Sequence, residues 1–273
     1  MLPQQELISR LRDLCQQDTR IVAATLYGSF AMGEADKNSD IECVLFIDSS
    51  ALPSFDKRGW IDQIAPTLAF FKDDFGHYTA IFDSLIRGEF HFDPAESIPN
   101  AATWQGNAWF PSAEHAIVID RTGALHTAMQ PLFGPPPERD NAETVERFMY
   151  NFANIVLFGL NTLERGELAR TFELLGGLHR LLLWMARLVE GSIAHWPTPS
   201  RKIEAEISGQ AYKRLAECTA RLDRGDLARA YRATWTWGSE MIRTLAARHQ
   251  IAVPETLFAR ITQTHFPDGD SAH

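Results

Sequence analysis

Apolar residues recur at Leu7, Ile8, Leu11, Leu14 and Cys15, a spacing that predicts an amphipathic helix over residues 5–17. Ile21–Tyr27 is a short β-prone run halted by Gly28-Ser29, which predicts a strand feeding a turn. Gly33–Ser39 is polar and reads as a loop, and Ile41–Ile47 is a second strand, rich in β-branched and aromatic residues. Residues 56–65 carry a helical pattern that Pro66 ends. Three more strands follow at Thr67–Phe71, Tyr78–Phe82 and Arg87–Phe92, with Gly76 and Gly88 marking turns or bulges. Gly134-Pro135-Pro136-Pro137 fits neither a helix interior nor a central strand and is the natural linker. Beyond it strand signals fade, and Glu143–Leu163, Leu168–Glu190, Arg201–Leu222 and Leu227–Arg248 all show helical periodicity. The expected fold class is α+β: a mixed β-sheet domain with flanking helices over residues 1–133, then a helical bundle over 134–273. The polar end, Asp268–His273, is expected to fray.

An internal echo joins the two halves of the bundle. Leu163-Glu-Arg-Gly-Glu-Leu-Ala-Arg170 recurs as Leu222-Asp-Arg-Gly-Asp-Leu-Ala-Arg229. In each copy a glycine is expected to close one helix and an acid to open the next, which reads as two similar helix-hairpin turns. Trp235 and Trp237 are two apart, so one of them is expected to pack in the core and the other not.

Composition narrows the function classes. A net charge of −9 argues against a broad grip on a polyanion, so nucleic acid is not an expected partner. A cationic small substrate suits such a balance. No apolar run reaches the roughly 18 residues of a membrane span. The start of the chain shows no apolar signal core, so a cytoplasmic protein away from membranes is expected. Cys15, Cys43 and Cys218 are few, odd in number and far apart, which predicts free thiols rather than a disulfide framework.

The chemistry-bearing segment is Leu26-Tyr-Gly-Ser-Phe30, a loop, then Ser39-Asp-Ile-Glu42 leading into the second strand. Asp40 and Glu42 are two apart at a strand start, so both carboxylates point to one face. Val44 and Phe46 continue that face; Ile41, Cys43, Leu45 and Ile47 line the other. Paired carboxylates suit Mg²⁺, which takes oxygen ligands in octahedral geometry. Gly28 and Ser29 follow a strand and open a short helix, where backbone N–H groups and the serine hydroxyl suit a phosphate. Neither a P-loop lysine motif nor a GxGxxG is present.

A Gly-Ser pair, a loop of about ten residues and Asp-x-[Asp/Glu] resemble the signature of the nucleotidyltransferase superfamily that includes DNA polymerase β. More closely, Leu26–Phe30, Ser39–Glu42, Ile81–Phe92 and Thr219–Asp223 resemble the larger, two-domain lincosamide nucleotidyltransferases, over nearly the whole chain. Ala31 and Met32 depart from it, standing where family members carry a hydroxyl and a basic residue, and Ala35 stands where a glycine is common. The resemblance implies Mg²⁺-dependent transfer of a nucleoside monophosphate, AMP in the first instance, from an NTP to a hydroxyl of a lincosamide antibiotic. An aminoglycoside acceptor, and a non-catalytic nucleotide- or partner-binding module of the same fold, are the alternatives. A homodimer is compatible with the sequence.

The implied catalytic set is Asp40, Glu42 and Glu89, with Asp40 and Glu42 as metal ligands and Glu89 as the base for the acceptor hydroxyl. Asp83 is the other candidate for the third carboxylate. Arg87 and His91 share the Glu89 face of their strand and are candidate substrate contacts. Gly28, Ser29, Ser39 and Lys213 are candidate nucleotide contacts. Lys213 and Arg221 lie on a predicted helix whose basic face either reaches the triphosphate or is simply solvated. Trp104, Trp109 and Phe110 either wall a substrate site or pack at the domain junction.

Overall fold

The computed structural model describes residues 2–267, so the expected frayed tail, Asp268–His273, lies outside the described residues. The chain divides into two compact units, residues 1–137 and 138–273. The first is built on a six-stranded mixed sheet and the second is helical, giving the expected α+β class.

The N-terminal unit opens with α1 (Pro3–Gln17), whose Leu7, Ile8, Leu11 and Cys15 are buried. β1 (Ile21–Leu26), α2 (Gly28–Ala31) and β2 (Ile41–Ile47) follow, so Gly28-Ser29 does open a short helix. α3 (Lys57–Ile61) is capped by Asp56, whose side chain accepts from the Gly59 N–H. It is shorter than the expected 56–65 because irregular turns, not helix, carry the chain to Pro66. β3 (Thr67–Lys72), β4 (Tyr78–Phe82) and β5 (Arg87–Pro94) run as two successive hairpins. Gly76 sits in a turn with φ +90°, but Gly88 marks neither turn nor bulge. It lies within the ladder, opposite both Ile41 and Ala80. Its missing side chain leaves room for Phe90: a Cβ there would stand 2.5 Å from that ring.

Three further elements, absent from the pattern reading, complete the unit: α4 (Ala113–Ala116), β6 (Ile117–Asp120) and α5 (Ala124–Met129). The strand order is β3-β4-β5-β2-β1-β6, antiparallel except where β2 runs parallel to β5. That parallel pair sets Glu42 directly opposite Glu89. Phe110 is buried and Trp104 packs against the same core, with residues of the N-terminal unit.

The C-terminal unit is built on α6 (Ala142–Glu164), α7 (Leu168–Glu190) and α10 (Arg224–Arg248), with α11 (Glu255–His265) against them. Asn141 and Asp223 cap α6 and α10, accepting from Thr144 and Asp226 N–H groups. The expected helix 201–222 is broken into α8 (Ile203–Glu206) and α9 (Gly209–Glu217). Ile207 is extended there, and Ser208 starts a new helix by accepting from Ala211 N–H. Arg221 consequently lies in the turn after α9, 85% exposed and paired with Asp226.

The echo is also less regular than expected. Gly166 follows α6 in the left-handed region, whereas Gly225 lies inside the first turn of α10. Trp235 and Trp237 are both buried, because α6, α7 and α9 together cover more than one side of α10, leaving Arg232, Thr236 and Glu240 exposed. Trp235 stacks on Phe152 and its indole N–H donates to Thr262; Trp237 lies near the Arg214 guanidinium. Cys15, Cys43 and Cys218 are free and buried.

Candidate active site

One face of the sheet collects the titratable side chains at the end of β2 where the chain enters from the loop. Alternation puts Arg87, Glu89 and His91 on that face of β5 and Gly88, Phe90 and Phe92 on the opposite, buried one. The register then brings Glu42 beside Glu89, and Asp40 just before β2 beside Arg87. Tyr27, one residue past β1, joins the same face, its N–H donating to Glu42 O at 3.1 Å. From the other side, the β4–β5 register pairs Tyr78 with Phe90; one residue further it sets His77 opposite His91. Val44 and Phe46 continue the face inward but are buried, so only its Asp40–Glu42 end is open to ligand.

The side chains form one connected network. The Tyr27 hydroxyl donates to Glu89 Oε1 at 2.7 Å and lies 2.9 Å from His91 Nε2. The Arg87 guanidinium binds Asp40 with one terminal nitrogen and Glu89 Oε2 with the other. His77 Nδ1 is 3.2 Å from Glu89 Oε1. Burial opposes ionisation of Glu89, yet the Tyr27 and Arg87 hydrogen bonds outweigh it and hold its carboxyl below the ordinary value. Burial and the neighbouring Glu89 push the Tyr27 hydroxyl upward. Burial, then the charge of His77, pull His91 downward.

Glu42 shows the opposite balance. Burial, then Asp40, then Glu89, raise its pKa to about 7, and the Ser29 backbone N–H only partly offsets this. Its carboxylate lies against the Cα of Gly28, where a Cβ would fall 1.4 Å from Oε2. Gly28 also has φ +64°, a region that costs an L side chain roughly 1–2 kcal/mol. Gly28→Ala is therefore expected to displace Glu42 and to destabilise the unit by at least about 1–2 kcal/mol. Thermal melts that match wild type would refute that reading.

The raised Glu42 pKa makes a pH prediction with a definite sign. The folded chain keeps a proton that the unfolded chain gives up between the ordinary value of 4.5 and about 7. Stability from this group therefore falls as pH rises through that window. In metal-free protein, Glu42→Gln is expected to melt near wild type at pH 4 and above it at pH 8. A melting difference that is flat with pH would contradict the assignment.

The remaining sequence candidates are placed differently. Ser29 lies in the first turn of α2, and its Oγ is buried with no hydrogen-bond partner among the described residues. The Ser39 hydroxyl is engaged within its own loop, accepting from Asp36 N–H at 2.9 Å, while its carbonyl accepts from Gln4. Asp83 is exposed in the β4–β5 turn, where its N–H donates to Pro66 O. Lys213 is exposed on α9 of the second unit. Ala31 is fully buried at the end of α2, so it offers nothing polar to a ligand. His77 was missed by pattern reading and Tyr27 was passed over, although the hairpin register alone pairs His77 with His91.

Asp40, Glu42 and Glu89 offer hard oxygen donors balanced by the Arg87 guanidinium, and burial, then the charges of Asp40 and Glu89, raise the Glu42 pKa to about 7. A divalent cation such as Mg²⁺ fits that donor chemistry, with Asp40 and Glu42 to hold it.

Comparison with known proteins agrees with this geometry. Residues 8–93 match the nucleotidyltransferase domain family, so the open end of the sheet belongs to a nucleotidyltransferase domain. Residues 141–264 match the lincosamide nucleotidyltransferase-like C-terminal domain. The chain thus joins a nucleotidyltransferase domain to a C-terminal domain of the lincosamide nucleotidyltransferase-like family. No curated protein matches the chain. Among solved structures, an aminoglycoside 6-adenyltransferase from Bacillus subtilis is 12% identical, with a TM-score of 0.42, over 96% of this chain and 97% of that one. A nucleotidyltransferase-like protein from Exiguobacterium sibiricum is 12% identical, with a TM-score of 0.36, over 94% of this chain and 87% of that one. No helix among the described residues is long and apolar enough to cross a membrane.

Proposed function

We propose that this protein transfers a nucleoside monophosphate, with ATP as donor and Mg²⁺ as cofactor, to a hydroxyl of a lincosamide antibiotic. The observation that carries the reading is the convergence of Asp40, Glu42 and Glu89 beside the Gly28-Ser29 turn. The C-terminal match to the lincosamide nucleotidyltransferase-like family supports the acceptor class.

In this reading Asp40 and Glu42 hold the metal, which supplies charge neutralisation for the triphosphate and the departing pyrophosphate. The buried Ser29 Oγ, without a hydrogen-bond partner among the described residues, is the group left to meet phosphate oxygen, the Ser29 N–H being taken by Glu42. The acceptor oxygen bonds to the α-phosphorus, its proton passes to Glu89, and the bond to pyrophosphate breaks with its electron pair leaving on pyrophosphate. Tyr27 and Arg87 orient Glu89 and keep it ionised. His91 lies beside the acceptor position. The presence of all three carboxylates argues against a catalytically silent module.

The test is direct. Purified protein is incubated with ATP, Mg²⁺ and a panel of lincosamides and aminoglycosides, and products are weighed by mass spectrometry. A lincosamide gaining one nucleotidyl group, with loss of the product when Mg²⁺ is chelated, supports the reading. Modification of aminoglycosides alone would move the acceptor class, and no product at all would leave the catalytic reading without support.

A further inference from the structure

The most unusual feature of the site is not its carboxylates but the two imidazoles gathered on one of them. His77 comes from the turn before β4 and His91 from β5, so two strands aim rings at Glu89 Oε1. His77 Nδ1 stands 3.2 Å from that oxygen and His91 Nε2 3.8 Å. The rings themselves lie 4.2 Å apart between centroids, tilted by 45°. Among the described residues this is the single group of His, Cys, Asp and Glu whose three donor atoms all lie within 4.8 Å of one another.

The His77–Glu89 separation matches a four-coordinate metal, and His91 has only to draw in slightly to do the same. Ligands held about 2.0–2.1 Å from a tetrahedral ion are spaced roughly 3.3 Å from one another. The donor set matters as much as the spacing. Mg²⁺ prefers oxygen throughout, whereas two imidazoles with one carboxylate select a borderline transition ion such as Zn²⁺. His77 is held in place for such a role. Its backbone N–H donates to Asp73 Oδ1 at 2.9 Å, and its carbonyl accepts from Asp73 N–H, which fixes the turn that presents the ring. The ring is one-third exposed, so an ion can reach it.

We propose that His77, Glu89 and His91 form a second cation site, selective for Zn²⁺-like transition ions and distinct from the Asp40–Glu42 pair. An ion there takes Glu89 Oε1, the oxygen that otherwise accepts from Tyr27. Glu89 then no longer has that lone pair for a proton, so occupancy inhibits transfer. The inhibition rests on the nucleotidyl-transfer reading above; the binding does not.

The experiment therefore measures binding first, on the whole protein without nucleotide or antibiotic. Zn²⁺ affinity and stoichiometry are read by competition with a chromogenic chelator. Co²⁺ serves as a spectroscopic probe, because a four-coordinate site gives intense visible bands. One strong site per chain is expected. Altering a mere outer-shell partner costs about 10–100-fold in affinity, so His77→Ala and His91→Ala are each expected to lose about 100-fold and the Co²⁺ bands. Asp40→Asn is expected to keep both, which separates this site from the Mg²⁺ pair. Circular dichroism checks that each variant folds, and His77→Gln replaces His77→Ala if the latter does not. Where transfer activity is present, Zn²⁺ should inhibit it in excess Mg²⁺, and His77→Ala should relieve the inhibition. Absence of a strong site in wild type, or Zn²⁺ affinity unchanged by both histidine substitutions, would overturn the proposal.

Discussion

Asp40→Asn is expected to lower turnover by about 10³-fold and to leave the fold intact. The magnitude follows from the role. A metal that neutralises a transferring phosphate contributes several kcal/mol, and each 1.4 kcal/mol is tenfold in rate. Asparagine keeps the shape of the side chain but removes the negative charge that Mg²⁺ requires. The fold has little at stake here. Asp40 precedes β2, is partly exposed, and its side-chain partner is Arg87, which keeps Glu89 as a second partner. Turnover at saturating ATP, a Mg²⁺ titration and circular dichroism together check the claim. A folded variant with near-normal turnover would remove Asp40 from the metal site.

The parts of this site that were legible in the sequence are those fixed by local pattern. β1, the Gly28-Ser29 turn and β2 follow one another within 27 residues, and strand alternation alone puts Asp40 and Glu42 on one face. The same alternation on β5 groups Arg87, Glu89 and His91. What alternation cannot supply is which strands pair. The parallel β2–β5 contact bridges two intervening strands, and only that contact sets Glu89 against Glu42. The raised pKa of Glu42 owes most to burial, then to Asp40, and only then to the Glu89 that this contact brings; that burial was equally out of reach.

The misses have physical causes of the same kind. β6 is four residues long and stays half-exposed, too short to show a period. It is strand because β1 offers it an edge. The 201–222 helix broke because Ser208-Gly209 can cap as readily as continue, a local choice the apolar period does not see. Only one of Trp235 and Trp237 was expected in the core, since residues two apart on a helix lie on different sides. Both are buried because neighbouring helices cover two sides of α10: Trp235 packs on Phe152 and Phe258, and Trp237 lies by Arg214 of α9. Periodicity reports how many sides of a helix are apolar, but neighbours decide how many are covered.

Glu89→Gln is the second large effect, and the structure sharpens its size. General-base catalysis contributes typically about 10²–10⁴-fold. A base is stronger when its conjugate acid has a pKa near the working pH. Tyr27, Arg87 and His77 instead hold the Glu89 carboxyl below its ordinary value, so it is always ionised at neutral pH but weakly basic. The expected loss in kcat therefore lies at the lower end, about 10²-fold. Glutamine preserves the size of the side chain, and its amide oxygen can still accept from Tyr27 or Arg87, so the sheet should not be disturbed. Because the loss falls on the transition state, KM for the acceptor should change far less than kcat. Asp83→Asn is the matched control. That carboxylate is exposed in the β4–β5 turn, away from the Tyr27–Glu89–Arg87 network, and its replacement is expected to leave kcat unchanged. Full kcat in Glu89→Gln with loss in Asp83→Asn would exchange the two roles. Full kcat in both would leave proton removal to solvent and reduce Glu89 to an anchor for Arg87.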